Sequence, residues 1–171
     1  MATDTAERRP ARFGGWTVVQ PWLTTVARLG LAVVLFLAGW AKFSQPAALQ
    51  KLAVSAYQIL PEGLVGVVGI GLPILEMCLA GMLVLGFATR FVAAAGGLLM
   101  IIFIAGIISA WARGLSIDCG CFGGGGAVGE GQTRYLQEIL RDLGFLALAA
   151  WIVVLPKSKL ALDRILGLYG D

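Results

Sequence analysis

Two cysteines separated by a single glycine are the residues of this chain best suited to chemistry. Cys119 and Cys121 lie in the segment DCGCFGGGG, residues 118–126. Residues two apart satisfy the Cα separation of about 7 Å below which a disulfide forms. The small ring would be strained, and strained, exposed disulfides exchange readily. The spacing therefore predicts thiol–disulfide chemistry, with an inert structural disulfide as the open alternative.

The surroundings of this pair indicate no metal cofactor. Structural zinc sites use four Cys or His ligands, whereas the chain has three cysteines and no histidine. Two thiols would need further ligands from a second subunit. Asp118 would raise the pKa of a neighbouring thiol, and Arg113 or Arg134 would lower it if the fold brought them close.

The composition is that of a membrane protein. Of the 171 residues, 58% are hydrophobic and 13% are charged, about half the charge content of a soluble domain, which is roughly 25%. The length corresponds to one domain. A net charge of +3 gives no indication of a nucleic-acid partner, so the expected surroundings are membrane lipid.

Four apolar segments predict an all-α, integral membrane four-helix bundle with a Cys-Gly-Cys extracytoplasmic loop. The predicted spans are 22–43, 64–87, 91–112 and 139–155, each near the roughly 17–25 residues that cross the hydrocarbon. The fourth is the shortest and begins beside Arg141 and Asp142. Residues 1–21 are expected to be a flexible cytoplasmic tail and 156–171 a cytoplasmic tail, either frayed or helical on the membrane surface.

The distribution of Lys and Arg predicts the orientation. One side of the predicted membrane domain collects more basic residues, and positive charge favours the cytoplasmic side. We therefore expect a multi-pass protein of a bacterial plasma membrane with both termini in the cytoplasm and the cysteine pair outside. Cleavage as a signal peptide is disfavoured because the first apolar run is too long. The more basic side contains Arg8, Arg9, Arg12, Arg90, Lys157, Lys159 and Arg164.

A carboxylate within the second predicted span is the other notable feature. Glu76 lies near the middle of that span, where a charge costs at least about 2.5–3.5 kcal/mol. The pattern predicts an ion pair with Arg28 of the first span, with Tyr57 contributing from the outer side. This polar site is either structural or proton-handling, and it could border a quinone. Cys78, two residues after Glu76, is expected to be a small buried apolar residue.

The order of several short motifs resembles the DoxX/MauE superfamily. These motifs are RLGL at 28–31, FLAG at 36–39, KF at 42–43, AYQILP at 56–61, LPILE at 72–76, TR at 89–90, CGCFG at 119–123 and RD at 141–142. They cover roughly residues 25–155, and the CGCFG loop is similar to the MauE-like, redox-associated branch. The resemblance implies four membrane helices and a role in extracytoplasmic thiol redox, with electrons passing from a thioredoxin-like partner to quinone.

The leading functional prediction is a membrane-embedded, quinone-linked thiol–disulfide oxidoreductase with Cys119 and Cys121 as its redox pair. Its expected partner is an extracytoplasmic thioredoxin-fold protein or a redox complex, and a homo-oligomer is left open. A non-catalytic anchor or assembly subunit of a respiratory or redox complex is the alternative. A small transporter that uses the Glu76 carboxylate is the second alternative, although no internal repeat supports it.

Overall fold

The computed structural model describes residues 16–129, 131, 133–156, 158 and 161–165. Predictions for residues 1–15 and for most of the C-terminal tail lie outside this part of the chain. Its elements are α1 (Trp16–Phe43), α2 (Ala47–Ala56), α3 (Glu62–Leu85), α4 (Thr89–Ala112), β1 (Ile117–Asp118), β2 (Gly126–Ala127), α5 (Tyr135–Val154) and α6 (Leu162–Ile165).

Three of the helices are long and apolar enough to cross a membrane. They are Val19–Phe43 within α1, Glu62–Leu85 and Thr89–Ala112, and 75% of the residues that the structure describes are helical. The predicted helical membrane protein is thereby confirmed. Helix α1 begins at Trp16, so residues 16–21, expected to be an irregular tail, continue the first helix.

The region predicted to be the fourth span is also helical, but it differs in composition. Helix α5 runs from Tyr135 to Val154 and is not among the helices that meet the criteria for a membrane span. Its first two turns carry Glu138, Arg141 and Asp142, which face the cysteine loop. The charged beginning of α5 therefore belongs to the site described below, and its apolar remainder joins the bundle.

The long helices α1, α3, α4 and α5 share one hydrophobic core. Glycines allow close approach at two of their crossings. A Cβ at Gly39 of α1 would come within 2.9 Å of the Pro73 carbonyl oxygen on α3, and one at Gly97 of α4 within 3.3 Å of Ala149 on α5. Such contacts are typical of helix packing in lipid. The buried core residues include Leu31, Leu35, Leu79, Leu83, Val92, Ala93, Met100, Ala149 and Ile152.

The turn between α3 and α4 is fixed from the C-terminal end of the chain. Gly86 adopts φ +67°, and its N–H and that of Phe87 bond the carbonyls of Leu83 and Met82, which is a Schellman cap. The carboxylate of Asp163 accepts the N–H groups of Ala88 (2.6 Å) and Thr89 (2.8 Å). Asp163 therefore caps the first turn of α4 from α6, in a segment that was expected to be a surface helix or a frayed tail.

Two connections carry structure that the sequence did not predict. The segment between α1 and α3 contains α2, and the one between α4 and α5 contains the antiparallel β1–β2 hairpin, with Ile117 opposite Ala127. The hydroxyl of Tyr135, at the start of α5, accepts the Ile117 N–H at 3.1 Å and donates to the Leu115 carbonyl. The hairpin is therefore anchored to the bundle on the side of α5.

One buried position was predicted wrongly. Cys78 is exposed on the surface of the bundle. Because lipid can cover a small apolar side chain as well as a protein core can, the apolar run around Cys78 did not determine which face of α3 it occupies.

Candidate functional site

The cysteine pair lies on a glycine-rich loop that closes the β1–β2 hairpin. Gly120 has φ +66°, and the four consecutive glycines 123–126 have φ between +79° and +113°, values that side chains other than glycine rarely adopt. A Cβ at Gly125 would come within 2.6 Å of the Ala53 Cβ on α2, and one at Gly123 within 3.1 Å of the Ala41 carbonyl oxygen on α1. These glycines thus let the loop lie directly against α1 and α2.

The two thiols have unequal environments. Cys119 is partly exposed and Cys121 is buried, and no disulfide joins them. The N–H of Cys121 points to the Cys119 sulfur at 3.4 Å. A hydrogen bond with Cys119 and burial raise the pKa of the Cys121 thiol. Cys121 is therefore the poorer nucleophile, and Cys119 is the thiol placed to attack.

The cation next to the thiols is Arg141, which the sequence analysis did not select. Its Nη2 lies 4.0 Å from the Cys119 sulfur and 3.1 Å from the Asp142 Oδ1, and its guanidinium stands 4.8 Å from the centre of the Phe122 ring. A cation held in this way stabilises a thiolate. The pair of Arg141 and Asp142 was visible in the sequence only as a short motif.

The arginines expected to act on the thiols lie elsewhere. Arg113 donates to the carbonyls of Tyr57 (2.6 Å) and Gln58 (3.4 Å), so it closes the end of α2 against α4. Arg134 is the exposed residue that precedes α5.

Two carboxylates flank the Cys119 sulfur. Ligand atoms of Asp118, Cys119 and Glu138 lie within 4.8 Å of one another. Asp118 also accepts the Gly125 N–H at 3.3 Å. Because Arg141 and Glu138 both lie near its sulfur, Cys119 has a cation that favours its thiolate and a carboxylate that can accept its proton.

Tyr57 holds the loop in place. Its hydroxyl donates to the Cys119 carbonyl at 2.9 Å, and burial raises the pKa of the Tyr57 hydroxyl. The hydroxyl therefore remains a donor at physiological pH. The sequence analysis placed Tyr57 beside the polar site but did not anticipate this contact with the loop.

Glu76 has a different partner from the one predicted. Lys42 Nζ lies 2.6 Å from Oε1 and 2.8 Å from Oε2 of Glu76, and the Glu76 side chain is fully buried. Arg28 instead lies beside Gly86, at the α3–α4 turn. The prediction of an Arg28–Glu76 pair is therefore wrong. Arg28 and Lys42 are separated by about 21 Å along α1 at 1.5 Å per residue, and only the lysine is level with Glu76.

A cavity of about 420 Å³ connects the cysteine pair with Lys42. Its walls come from α2, from the outer halves of α3 and α4 (the halves remote from their shared turn), and from the loop. They include Val54, Tyr57, Leu72, Ile102, Phe103 and Gly106, with Cys119, Gly120 and Cys121 at one end. The thiols therefore face an apolar chamber inside the bundle. Of the residues predicted for a polar site, Tyr57 lines this chamber, Glu76 lies behind Lys42, and Arg28 is remote.

A known protein family matches most of this part of the chain. Residues 20–155 match the family model described as "Methylamine utilisation protein MauE". This chain belongs to the MauE family. The matched range extends from α1 through α5, so the MauE part of the resemblance seen in the sequence is confirmed. No curated protein matches the chain, and neither does any solved structure.

The range that matches the MauE model contains both the helical bundle and the candidate site. The matched range contains Lys42, Tyr57, Glu76, the cysteine pair and Arg141. The Asp163 cap lies beyond it. In this MauE family member, both thiols, Tyr57 and Glu76 were selected from the sequence as site residues. Lys42 and Arg141 were noted only within short motifs, and Glu138 was not selected. The signal for these three was their charge within or beside apolar segments.

Proposed function

We propose that this protein is a membrane-embedded thiol–disulfide oxidoreductase that works with an extracytoplasmic thioredoxin-fold partner. The observation that carries the proposal is the difference in exposure between the two thiols. Cys119 is partly exposed and lies beside Arg141, whereas Cys121 is buried, with 6% of its surface exposed, and lines an apolar cavity. Exchange with a partner needs one sulfur that the partner can reach and a second that stays inside the protein, and the two cysteines differ in this way.

When Cys119 and Cys121 start as a disulfide, they oxidise two thiols of the partner in two steps. A thiolate of the partner attacks the Cys119 sulfur, a mixed disulfide forms, and Cys121 leaves with the electron pair and takes a proton. The second partner thiolate then attacks the partner's own sulfur and releases Cys119. The partner is oxidised to a disulfide, and Cys119 and Cys121 become a dithiol. Arg141 stabilises the charge on Cys119 in the last step.

A membrane quinone is the proposed electron acceptor that restores the disulfide. The dithiol loses two electrons and two protons, and the quinone becomes a quinol. The wider DoxX relationship, which suggested a quinone, forms part of this proposal. The proposal also includes a fourth membrane span in α5, both termini in the cytoplasm of a bacterial cell, and the cysteine loop on the outer face. The family description suggests methylamine utilisation as the setting.

The test is thiol alkylation in intact cells with and without quinone depletion. The pair should be oxidised in normal cells and accumulate as a dithiol when quinone is depleted. A Cys121→Ser variant should trap a mixed disulfide with the partner through Cys119, and Cys78→Ser, which changes a cysteine remote from the loop, should leave exchange intact. A pair that never changes redox state, together with an absence of trapped partner, would refute the proposal.

A non-catalytic anchor or assembly subunit is the second candidate. The observation that favours it is the docking of the loop, since Tyr57 and Tyr135 fix its backbone and its glycines lie against α1 and α2. On this alternative, a Cys119→Ser/Cys121→Ser variant retains function. A transporter based on Glu76 gains less support, because Lys42 occupies both oxygens of that carboxylate.

A further inference from the structure

The cavity behind the cysteine pair is open towards the hydrocarbon side of the bundle. Several of its lining residues are also on the outer surface: Ile102 is 54% exposed and Ile59 is 53% exposed, and Ala105 is exposed as well. These residues belong to the outer half of α4 and to the connection between α2 and α3. In a membrane this apolar rim faces acyl chains, so the chamber has a lateral entrance from lipid.

The same cavity also presents a hydrogen-bond donor. Lys42 carries three N–H groups, and Glu76 accepts two of them. Among the described residues, no partner is recorded for the third, and the Lys42 side chain is 13% exposed within the cavity lining. Phe103 lies beside the ammonium, with its ring centre 5.2 Å from Nζ. The lining therefore combines two aromatic rings, Tyr57 and Phe103, with one charged donor, Lys42, and with the side chains of Gln45 and Gln50.

The chemistry of the chamber selects its occupant. A volume of about 420 Å³ is within the range of about 300–1,000 Å³ that is usual for small-molecule sites. The occupant must be apolar enough to arrive through lipid, must offer an acceptor to Lys42, and must reach the two thiols that line the same cavity. A lipid acyl chain satisfies the first condition only. A quinone ring, with carbonyl oxygens on opposite sides and an apolar tail, satisfies all three.

We propose that this cavity is the binding site for the quinone, which enters between α3 and α4 and places one ring carbonyl at Lys42 and its opposite edge at the cysteine pair. The inference rests on the proposed function and deepens it by assigning the site and Lys42 as a binding residue. In the step that it supports, the dithiol is oxidised to a disulfide while the quinone takes up two electrons and two protons as quinol. Lys42 stabilises negative charge on the ring oxygen before protonation.

The first test measures binding without turnover. The purified full-length protein in lipid nanodiscs is photolabelled with an azido-benzoquinone, and labelled peptides are mapped by mass spectrometry. Labelling should fall within residues 57–60 and 102–106 and should be displaced by unlabelled short-tailed benzoquinone. Ala105→Phe, which fills the entrance, should reduce labelling at least tenfold. The matched control Ala94→Phe, on an exposed face of α4 away from the cavity, should label as the unmodified protein does.

The second test addresses the polar end of the site. Lys42→Met leaves the buried Glu76 carboxylate without its partner, so the double variant Lys42→Met/Glu76→Gln is measured beside it. Loss of one charge-assisted hydrogen bond should weaken quinone affinity roughly tenfold. Lys51→Met, which removes an exposed lysine outside the cavity, should leave the affinity unchanged. Equal affinities in the double variant and the unmodified protein would overturn the role of Lys42.

The outcomes of these experiments test the quinone site separately from the proposed redox function. Labelling spread evenly over lipid-facing helices, unaffected by Ala105→Phe or displaced by phospholipid as well as by quinone, would overturn the site even if quinone oxidised the thiols. Specific labelling that persists in a Cys119→Ser/Cys121→Ser variant would support the site. If quinone bound there but never oxidised the unmodified dithiol, the site would stand and the redox function would fall.

Discussion

At the level of single residues, the position of Arg141 accounts for the reactivity assigned to Cys119. The guanidinium is 4.0 Å from the sulfur and is held by Asp142 on the same helix. Arg141→Met should therefore slow alkylation of Cys119 about fivefold, corresponding to about 1 kcal/mol for one charge-assisted contact on a partly exposed group. The rate is measured with iodoacetamide on the purified, reduced protein.

The controls for this substitution separate charge from folding. Arg134→Met, which removes an exposed arginine with no recorded contact to the thiols among the described residues, should leave the rate unchanged. Because Arg141→Met leaves the buried Asp142 carboxylate unpaired, Arg141→Met/Asp142→Asn should show the same slowing. A rate equal to that of the unmodified protein in both variants would contradict the role of Arg141.

Burial of Cys121 should affect how its alkylation rate depends on pH. The Cys119 hydrogen bond and burial both favour protonated Cys121 and so raise its pKa. The Cys121 thiolate therefore forms only at a pH well above the ordinary thiol value of about 8.5. Site-resolved mass spectrometry should show Cys119 alkylated first, with the rate at Cys121 still rising above that pH. In denaturant the two rates should converge, and equal rates in the folded protein would contradict the asymmetry.

Residues marked by a local sequence pattern could be predicted, whereas contacts that depend on how two helices pack could not. A Cys-Gly-Cys spacing and a carboxylate within an apolar run are local signals, so the thiols and Glu76 were found from sequence. The partner of Glu76 depends on which positions of two antiparallel helices are level with each other. Arg28 and Lys42 both belong to the α1 segment, and only the packing of Gly39 against α3 places Lys42 at Glu76.

At the level of elements, α6 stabilises a helix that it does not adjoin in sequence. Asp163 accepts both N–H groups at the start of α4, and loss of an N-cap costs about 1 kcal/mol. Asp163→Asn should lower the thermal unfolding midpoint in detergent by a few degrees, followed by circular dichroism, without slowing Cys119 alkylation. Glu62→Gln, at an exposed position at the start of α3, should have a smaller effect. An unchanged midpoint for Asp163→Asn would contradict the cap.

The elements themselves were predictable to different degrees. Long apolar runs fixed α1, α3 and α4 to within a few residues at most ends, because a membrane span needs a minimum length. Helix α2 was missed although Ala47–Ala56 is rich in good helix formers and follows Pro46. The two-residue strands of the hairpin left no alternating pattern to detect.

At the level of the whole molecule, the predicted orientation places the cysteine loop outside the cell. A membrane-impermeant maleimide added to intact cells should label Cys119 after mild reduction. A cysteine introduced by Phe87→Cys, at an exposed position of the α3–α4 turn, should react only after permeabilisation. Labelling of the turn but not of the loop would reverse the orientation. Labelling of both from outside would contradict the topology with four spans.

The lateral entrance of the cavity also determines which quinone concentration controls how much of the site is occupied. A site that fills from the bilayer responds to the mole fraction of its ligand in the lipid and not to the amount per volume of buffer. Diluting proteoliposomes at a fixed ratio of quinone to lipid should therefore leave the rate of thiol oxidation per protein unchanged. Adding empty lipid by vesicle fusion should lower it in proportion. For such a protein, an apparent Michaelis constant expressed per litre of buffer would vary with the lipid content of the assay.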